Sequence, residues 1–108
     1  MVGHTGNFEA TKQAIKIVDK CAYLIALATL SVGGDVIITA DHGNADYMLD
    51  ENDNVITSHS MSKVPFYLVS EKYKNVKLID NGALCNIAPT VLKLLNIDIP
   101  KNKEKPLF

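Results

Sequence analysis

Apolar residues recur at spacings of four and three through Ala14, Val18, Cys21, Ile25 and Ala28, which places them on one face of a helix. Asn7 suits the N-cap of that helix and the Gly33-Gly34 pair stops it, so the pattern predicts a helix over residues 8–31. Beyond Asp19 the segment also carries Tyr23, Leu24 and Leu27 and becomes apolar nearly all round. A helix of that kind expects cover on more than one side. Residues 21–32 are apolar except for Thr29 and Ser31, yet Lys16, Asp19 and Lys20 flank them closely. The stretch falls short of the ~20 apolar residues that a bilayer-spanning helix needs. A buried helix explains it better.

The period then changes. Asp35 and the β-branched run that follows it to Ala40 predict a strand over 36–40, buried on both faces as in a parallel sheet. Residues 41–62 have no clean period and many polar side chains, which marks a long insertion of the kind that often carries function. A second strand is expected over 64–69, with Pro65 near its start, and a short third over 76–79. Residues 86–95 read as a helix capped by Asn86, with Pro89 tolerated in its first turn. Residues 101–108 read as a charged tail closing on Pro106-Leu107-Phe108, with 101–105 as its solvated part. Helix, glycine turn and buried strand together form the second half of a βαβ unit, so the expected class is α/β.

Composition narrows the functions. With 108 residues the chain is expected to form a single domain, 1–108. Eleven basic against 12 acidic residues leave a net charge of −1, which argues against nucleic acid or an anionic membrane as partner. Cys21 and Cys85 fit neither a disulfide framework nor a zinc pattern, as expected of a reducing compartment. The N-terminus lacks the basic start, apolar core and cleavage site of a signal peptide, so the cytoplasm is the default location.

All three histidines fall in loops or at element ends: His4 before the long helix, His42 after the first strand, His59 before the second. Asp41 and His42 stand at the carboxyl end of a strand, the rim where open α/β sheets bind ligands. A carboxylate oxygen with imidazole nitrogens suits manganese or zinc, and the absence of nearby cysteine weighs against a thiolate zinc site. The same Asp-His-Gly run is also ordinary turn chemistry, and spacing alone leaves both readings open. Ser58, Ser60 and Ser62 crowd His59, but no G-x-S-x-G elbow accompanies them. Asp50, Glu51 and Asp53 lack the terminal glutamate of a calcium loop and read as a solvated acidic turn.

Larger blocks separate those readings. The run Met1-Val-Gly-His-Thr-Gly-Asn-Phe-Glu-Ala10 and the run Ile38-Thr-Ala-Asp-His-Gly-Asn-Ala45 resemble the cofactor-independent (2,3-bisphosphoglycerate-independent) phosphoglycerate mutases. So do Ser58-His-Ser before Val64-Pro-Phe66, and Asn86-Ile-Ala-Pro-Thr-Val-Leu92. The blocks follow the family's order and cover almost the whole chain. The resemblance implies the C-terminal part of a metal-binding, alkaline-phosphatase-like domain, a mostly parallel sheet flanked by helices. It implies two manganese ions and a glycolytic interconversion of 3-phosphoglycerate and 2-phosphoglycerate through a phosphoserine intermediate. It makes His4 and His59 ligands of one metal, and Asp41 and His42 ligands of the other.

The family's nucleophilic serine has no counterpart among these 108 residues, and its aspartate ligand would stand immediately before Met1. The chain is therefore expected to be a C-terminal fragment, inactive alone, that binds metal weakly and self-associates through surface the rest of the enzyme would cover. Asn86 replaces the family's usual aspartate and Ser60 its usual threonine, both read as conservative structural changes. Two alternatives remain: another phosphoryl-transfer enzyme of the superfamily, such as a phosphopentomutase or a phosphatase, and a non-catalytic metal- or partner-binding domain. The His4-Thr5-Gly6-Asn7 and Asp41-His42-Gly43-Asn44 runs favour the mutase over the first of these.

Overall fold

The computed structural model describes residues 2–108; Met1, the first residue of the N-terminal motif, lies outside them. Two compact units are present, Met1–Ser70 and Glu71–Phe108.

In the first unit a 3-10 turn, Val2–Thr5, leads into helix α1, Phe8–Ser31. Both ends of α1 are chemically fixed. Asn7 is extended and its side-chain oxygen accepts the Ala10 N–H at 3.0 Å. At the other end Gly33 N–H donates to Leu30 O at 3.0 Å and Gly34 N–H to Thr29 O at 2.9 Å, the paired bonds of a Schellman stop. That geometry needs the φ of +78° that Gly33 adopts.

The inward face of α1 differs from the one expected. Thr11 is buried, and Ala14, Ala22, Ala26, Thr29 and Leu30 are half-buried, while Val18 and Ile25 remain 66% and 63% exposed. Small side chains bring the helix close to the β strand it packs on, and the larger apolar residues point away from it.

That strand is β1, Val36–Thr39, which pairs with β2, Phe66–Val69. The expected extents, 36–40 and 64–69, shorten at the shared end. Pro65 has no N–H to donate, and its carbonyl instead accepts the Thr39 hydroxyl at 2.8 Å. The expected mostly parallel arrangement does not describe this pair: β1 and β2 are antiparallel, from Val36 opposite Val69 to Thr39 opposite Phe66. The cause is the connection, which leaves β1 and re-enters β2 at one end without a crossover helix. Nor is β1 buried on both faces; Val36, Ile37 and Ile38 are half-buried and Thr39 is exposed.

The connection folds back on itself through two isolated antiparallel bridges, Gly43 with Ser60 and Leu49 with Val55. Met48 is buried beneath it. At its tip the Asp50 carboxylate accepts the backbone N–H groups of Asn52 and Asn54 and the Asn54 side-chain amide. The acidic cluster spends its oxygens on its own turn.

In the second unit a 3-10 turn, Leu84–Asn86, precedes helix α2, Ile87–Leu94. Residues 76–79 form no strand; Ile79 N–H instead donates to Leu107 O at 2.8 Å. Asn86 does not cap α2 with its side chain. Its oxygen accepts Ala83 N–H at 2.7 Å and its amide donates to Lys105 O at 2.9 Å. The tail is only partly solvated. Residues 101–105 are exposed, but Leu107 is buried and its N–H donates to the buried Thr90 hydroxyl at 2.8 Å. Tyr73 and Lys93 lie against the Phe108 ring. Three apolar or ring-bearing residues at the very end outweigh the preceding lysines. Among the described residues no helix is long and apolar enough to cross a membrane.

Candidate metal site

Because β1 and β2 meet antiparallel, the chain leaving β1 and the chain entering β2 lie at the same end of the sheet. Asp41 and His42 stand on the outgoing segment, and His59 stands on the returning one. His4 comes from the 3-10 turn that leads into α1. The three histidines, scattered in sequence, are neighbours in space. The His42 and His59 rings stack at 3.4 Å between centroids with 4° between planes, and His4 lies 5.7 Å from His59.

The hydrogen bonds of His42 identify its free nitrogen. Nδ1 lies 2.9 Å from Gly43 O, and a carbonyl can only accept, so Nδ1 carries the proton. In the neutral ring Nε2 then presents a lone pair, and it lies 3.5 Å from Asp41 Oδ1. Two acceptors this close can share a cation, either a proton or a metal ion. A separation of 3.5 Å is one that two donors on a single ion, each about 2.1 Å away, can span. The Nδ1–H to carbonyl bond is also the usual way a ligating histidine is oriented. Asp41 is exposed and His42 half-buried, so the pair is open to solvent.

His4 is oriented differently. The Asn44 side-chain amide nitrogen lies 3.4 Å from His4 Nδ1, and the rotation of that carboxamide decides which imidazole nitrogen is left for a ligand. The four predicted residues thus form one run of neighbours, His4 beside His59, His59 stacked on His42, and Asp41 beside His42. Among the described residues no group of three or more His, Cys, Asp and Glu side chains closes into a metal cage. The donor set itself, one carboxylate and three imidazoles, fits a divalent ion completed by water or further ligands.

Asp46, which the sequence reading passed over, hydrogen-bonds to both segments. Asp46 accepts the Asn44 N–H at 2.8 Å and the Ser60 hydroxyl at 3.1 and 3.0 Å. The Ser62 hydroxyl first, then those of Ser60 and the backbone N–H groups of Asp46 and Asn44, holds the Asp46 carboxyl below its ordinary range against a smaller opposing effect of desolvation. Gly43 is buried, and a Cβ there would come within 2.0 Å of Ser60 Oγ. The signal was present in the Asp41-His42-Gly43-Asn44-Ala45-Asp46 run, but only the returning segment gives Asp46 a partner.

Residues 1–99 match the Metalloenzyme superfamily. Over 101 residues the chain is 54% identical to a 2,3-bisphosphoglycerate-independent phosphoglycerate mutase from Gracilaria tenuistipitata var. liui, covering 93% of this chain and 20% of that protein. Over 102 residues it is 46% identical to the enzyme of the same description from Clostridioides difficile, covering 94% of this chain and 20% of that protein. Among solved structures it resembles a Leishmania mexicana phosphoglycerate mutase determined at low cobalt concentration, with a TM-score of 0.86 and 34% identity. That match covers 99% of this chain and 22% of the other. The chain spans about one fifth of the length of the relatives it matches.

Proposed function

The chain belongs to the Metalloenzyme superfamily, and from that membership we propose that it carries part of the metal site of a cofactor-independent phosphoglycerate mutase. In this reading Asp41 and His42 hold one divalent ion and His4 and His59 the other, manganese being the ion of the family. The supporting observation is the facing pair of acceptors, His42 Nε2 and Asp41 Oδ1, 3.5 Å apart with Nδ1 occupied by Gly43 O. When bound, a pair of divalent ions polarises phosphoryl oxygens and lowers the pKa of a nearby hydroxyl. The protein's part is to present neutral imidazole nitrogens and a carboxylate oxygen at fixed spacing. The whole enzyme would interconvert 3-phosphoglycerate and 2-phosphoglycerate in glycolysis through a phosphoserine, in the cytoplasm. The antiparallel pair seen here would then lie within an alkaline-phosphatase-like, mostly parallel sheet flanked by helices. Copies of the 108-residue chain would associate through the outward apolar side of α1.

Two measurements on the purified chain test this. Calorimetric titration with manganese should give weak binding that His42→Ala abolishes, because two protein ligands for each ion leave most positions to water. Incubation with 3-phosphoglycerate and manganese, coupled to enolase, should give only background, because no residue here matches the nucleophilic serine. Absence of manganese binding would favour the other cation, a proton, and an ordinary Asp41–His42 ion pair. Turnover lost on His42→Ala would show that the nucleophile lies within these residues after all.

A further inference from the structure

The Asp41-His42 segment and the His59 segment are joined by one set of contacts beyond their own rings. Gly43 O accepts two hydrogen bonds, from His42 Nδ1 and from Ser60 N–H, each 2.9 Å long. One carbonyl therefore fixes the His42 ring and the residue next to His59 together. Asp46 closes the arrangement from the other side, accepting Asn44 N–H on the outgoing segment and the Ser60 hydroxyl on the returning one. Ser62 N–H lies 3.4 Å from Ser60 Oγ, which continues the contact along the returning segment. Buried Gly43 has room for no side chain, so the two segments approach as closely as their backbones allow.

We propose that Asp46 and Ser60 are positioning residues: a carboxylate–hydroxyl buckle that holds His42 face to face with His59 and thereby sets the spacing between the two metal-ligand pairs. The proposal rests on the metal reading only for its consequence, since the buckle and the ring stack are properties of the chain alone. Neither residue is placed on the ion. Asp46 lies four residues past His42 with its carboxylate turned to Ser60, and Ser60 acts through the backbone it shares with His59. Without the Ser60 hydroxyl, Asp46 still turns its own loop through Asn44 N–H, but the lateral tie between segments is reduced to the Gly43–Ser60 backbone bond and the Ser62 hydroxyl on Asp46. The His42 ring is then held less closely against His59.

The test compares Ser60→Ala, Asp46→Ala and Ser60→Thr with the parent chain by proton NMR of the histidine rings in metal-free solution. Stacking at 3.4 Å places each ring of the pair in the other's shielding region, so the parent His42 and His59 ring protons should resonate upfield of free imidazole. Ser60→Ala should shift them toward free imidazole while His4 and the helical circular dichroism stay unchanged, Asp46→Ala should shift them as well, and Ser60→Thr should keep the parent positions. In a parallel manganese titration Ser60→Ala should lose about ten-fold in affinity, the usual scale for removing an outer-shell partner, and Ser60→Thr should regain it. Ring signals unchanged in folded Ser60→Ala would overturn the buckle. So would a loss shared equally by His4 and the helix, or a Ser60→Thr chain that behaves like Ser60→Ala. If the parent binds no manganese, the metal reading falls and the ring signals alone still decide the buckle.

Discussion

Asn86 shows what a single position can conceal from a sequence. As a replacement for aspartate it reads as conservative, because both residues cap helices. In the structure its two functional ends are both in use, the oxygen on Ala83 N–H and the amide on Lys105 O. An aspartate keeps the first bond, loses the second and sets a carboxylate against a carbonyl. Asn86→Asp should therefore destabilise the second unit by about 0.5–1.5 kcal/mol, the net worth of one hydrogen bond where water can take the partner's place. Thermal denaturation of the variant against the parent measures it. Asp50 allows a prediction about pH. The N–H of Asn54 first, then its side-chain amide and the N–H of Asn52, hold the Asp50 carboxyl below its ordinary value of 3.8. A depressed pKa stabilises the fold above the unfolded value, and that contribution disappears as pH falls through the folded one. The Asp50 carboxyl carbon should titrate with a midpoint below 3.8, and the Asn52 and Asn54 amide signals should follow the same curve. A midpoint at or above the ordinary value would mean that the turn is not formed in solution.

At the scale of elements, what was legible was what is encoded locally. The limits of α1 could be read because Asn7 and the Gly33-Gly34 pair act within a turn of the helix ends. Their contributions can be separated. Asn7→Ala removes the bond to Ala10 N–H and should cost about 1 kcal/mol. Gly33→Ala meets no atom within 4 Å, so its cost, about 1–2 kcal/mol, is purely that of a left-handed backbone. Helix content followed through urea denaturation should report both losses, and their sum in the double variant, since the two sites share no contact. The inward face of α1 was not legible, because periodicity identifies apolar rows without saying which row meets the sheet. Small residues won that contact over large ones. Strand direction was hidden for a similar reason: residues 36–39 and 66–69 read as strands singly, and only the path of the connection decides how they pair. The blocks that carry His4, Asp41, His42 and His59 stood out because each is short and contiguous, and the structure brings the three histidines together. The buckle between those blocks was not legible, because Asp46 and Ser60 are 14 residues apart and meet only once the connection has folded back.

At the scale of the whole molecule, the apolar residues left outside α1 carry the last prediction. Tyr23, Leu24, Ile25 and Leu27 are 62, 54, 63 and 48% exposed, and Ile15, Ile17 and Val18 extend the same character toward the N-terminal half. Met48, Leu107 and Pro89 are buried among the described residues, but twenty large hydrophobic side chains are exposed, so much of the hydrophobic surface that this sequence encodes is still in contact with water. Contiguous apolar patches above a few hundred Å² are usually covered by a partner. A second copy of the chain is the partner always at hand, and a two-fold axis would let α1 cover α1 with the same patch used twice. At ~25 cal/mol per Å², covering ~800 Å² of apolar surface gives roughly 20 kcal/mol gross, most of it offset by lost freedom and side-chain ordering. Light scattering over a dilution series should show a concentration-dependent rise in mass, and Leu24→Lys with Leu27→Lys should abolish it. These two positions lie outside the Ala22 and Ala26 row, so helix content should survive the change. A parent chain that stays monomeric at high concentration would mean that α1 covers its own apolar side in solution, and self-association would be ruled out.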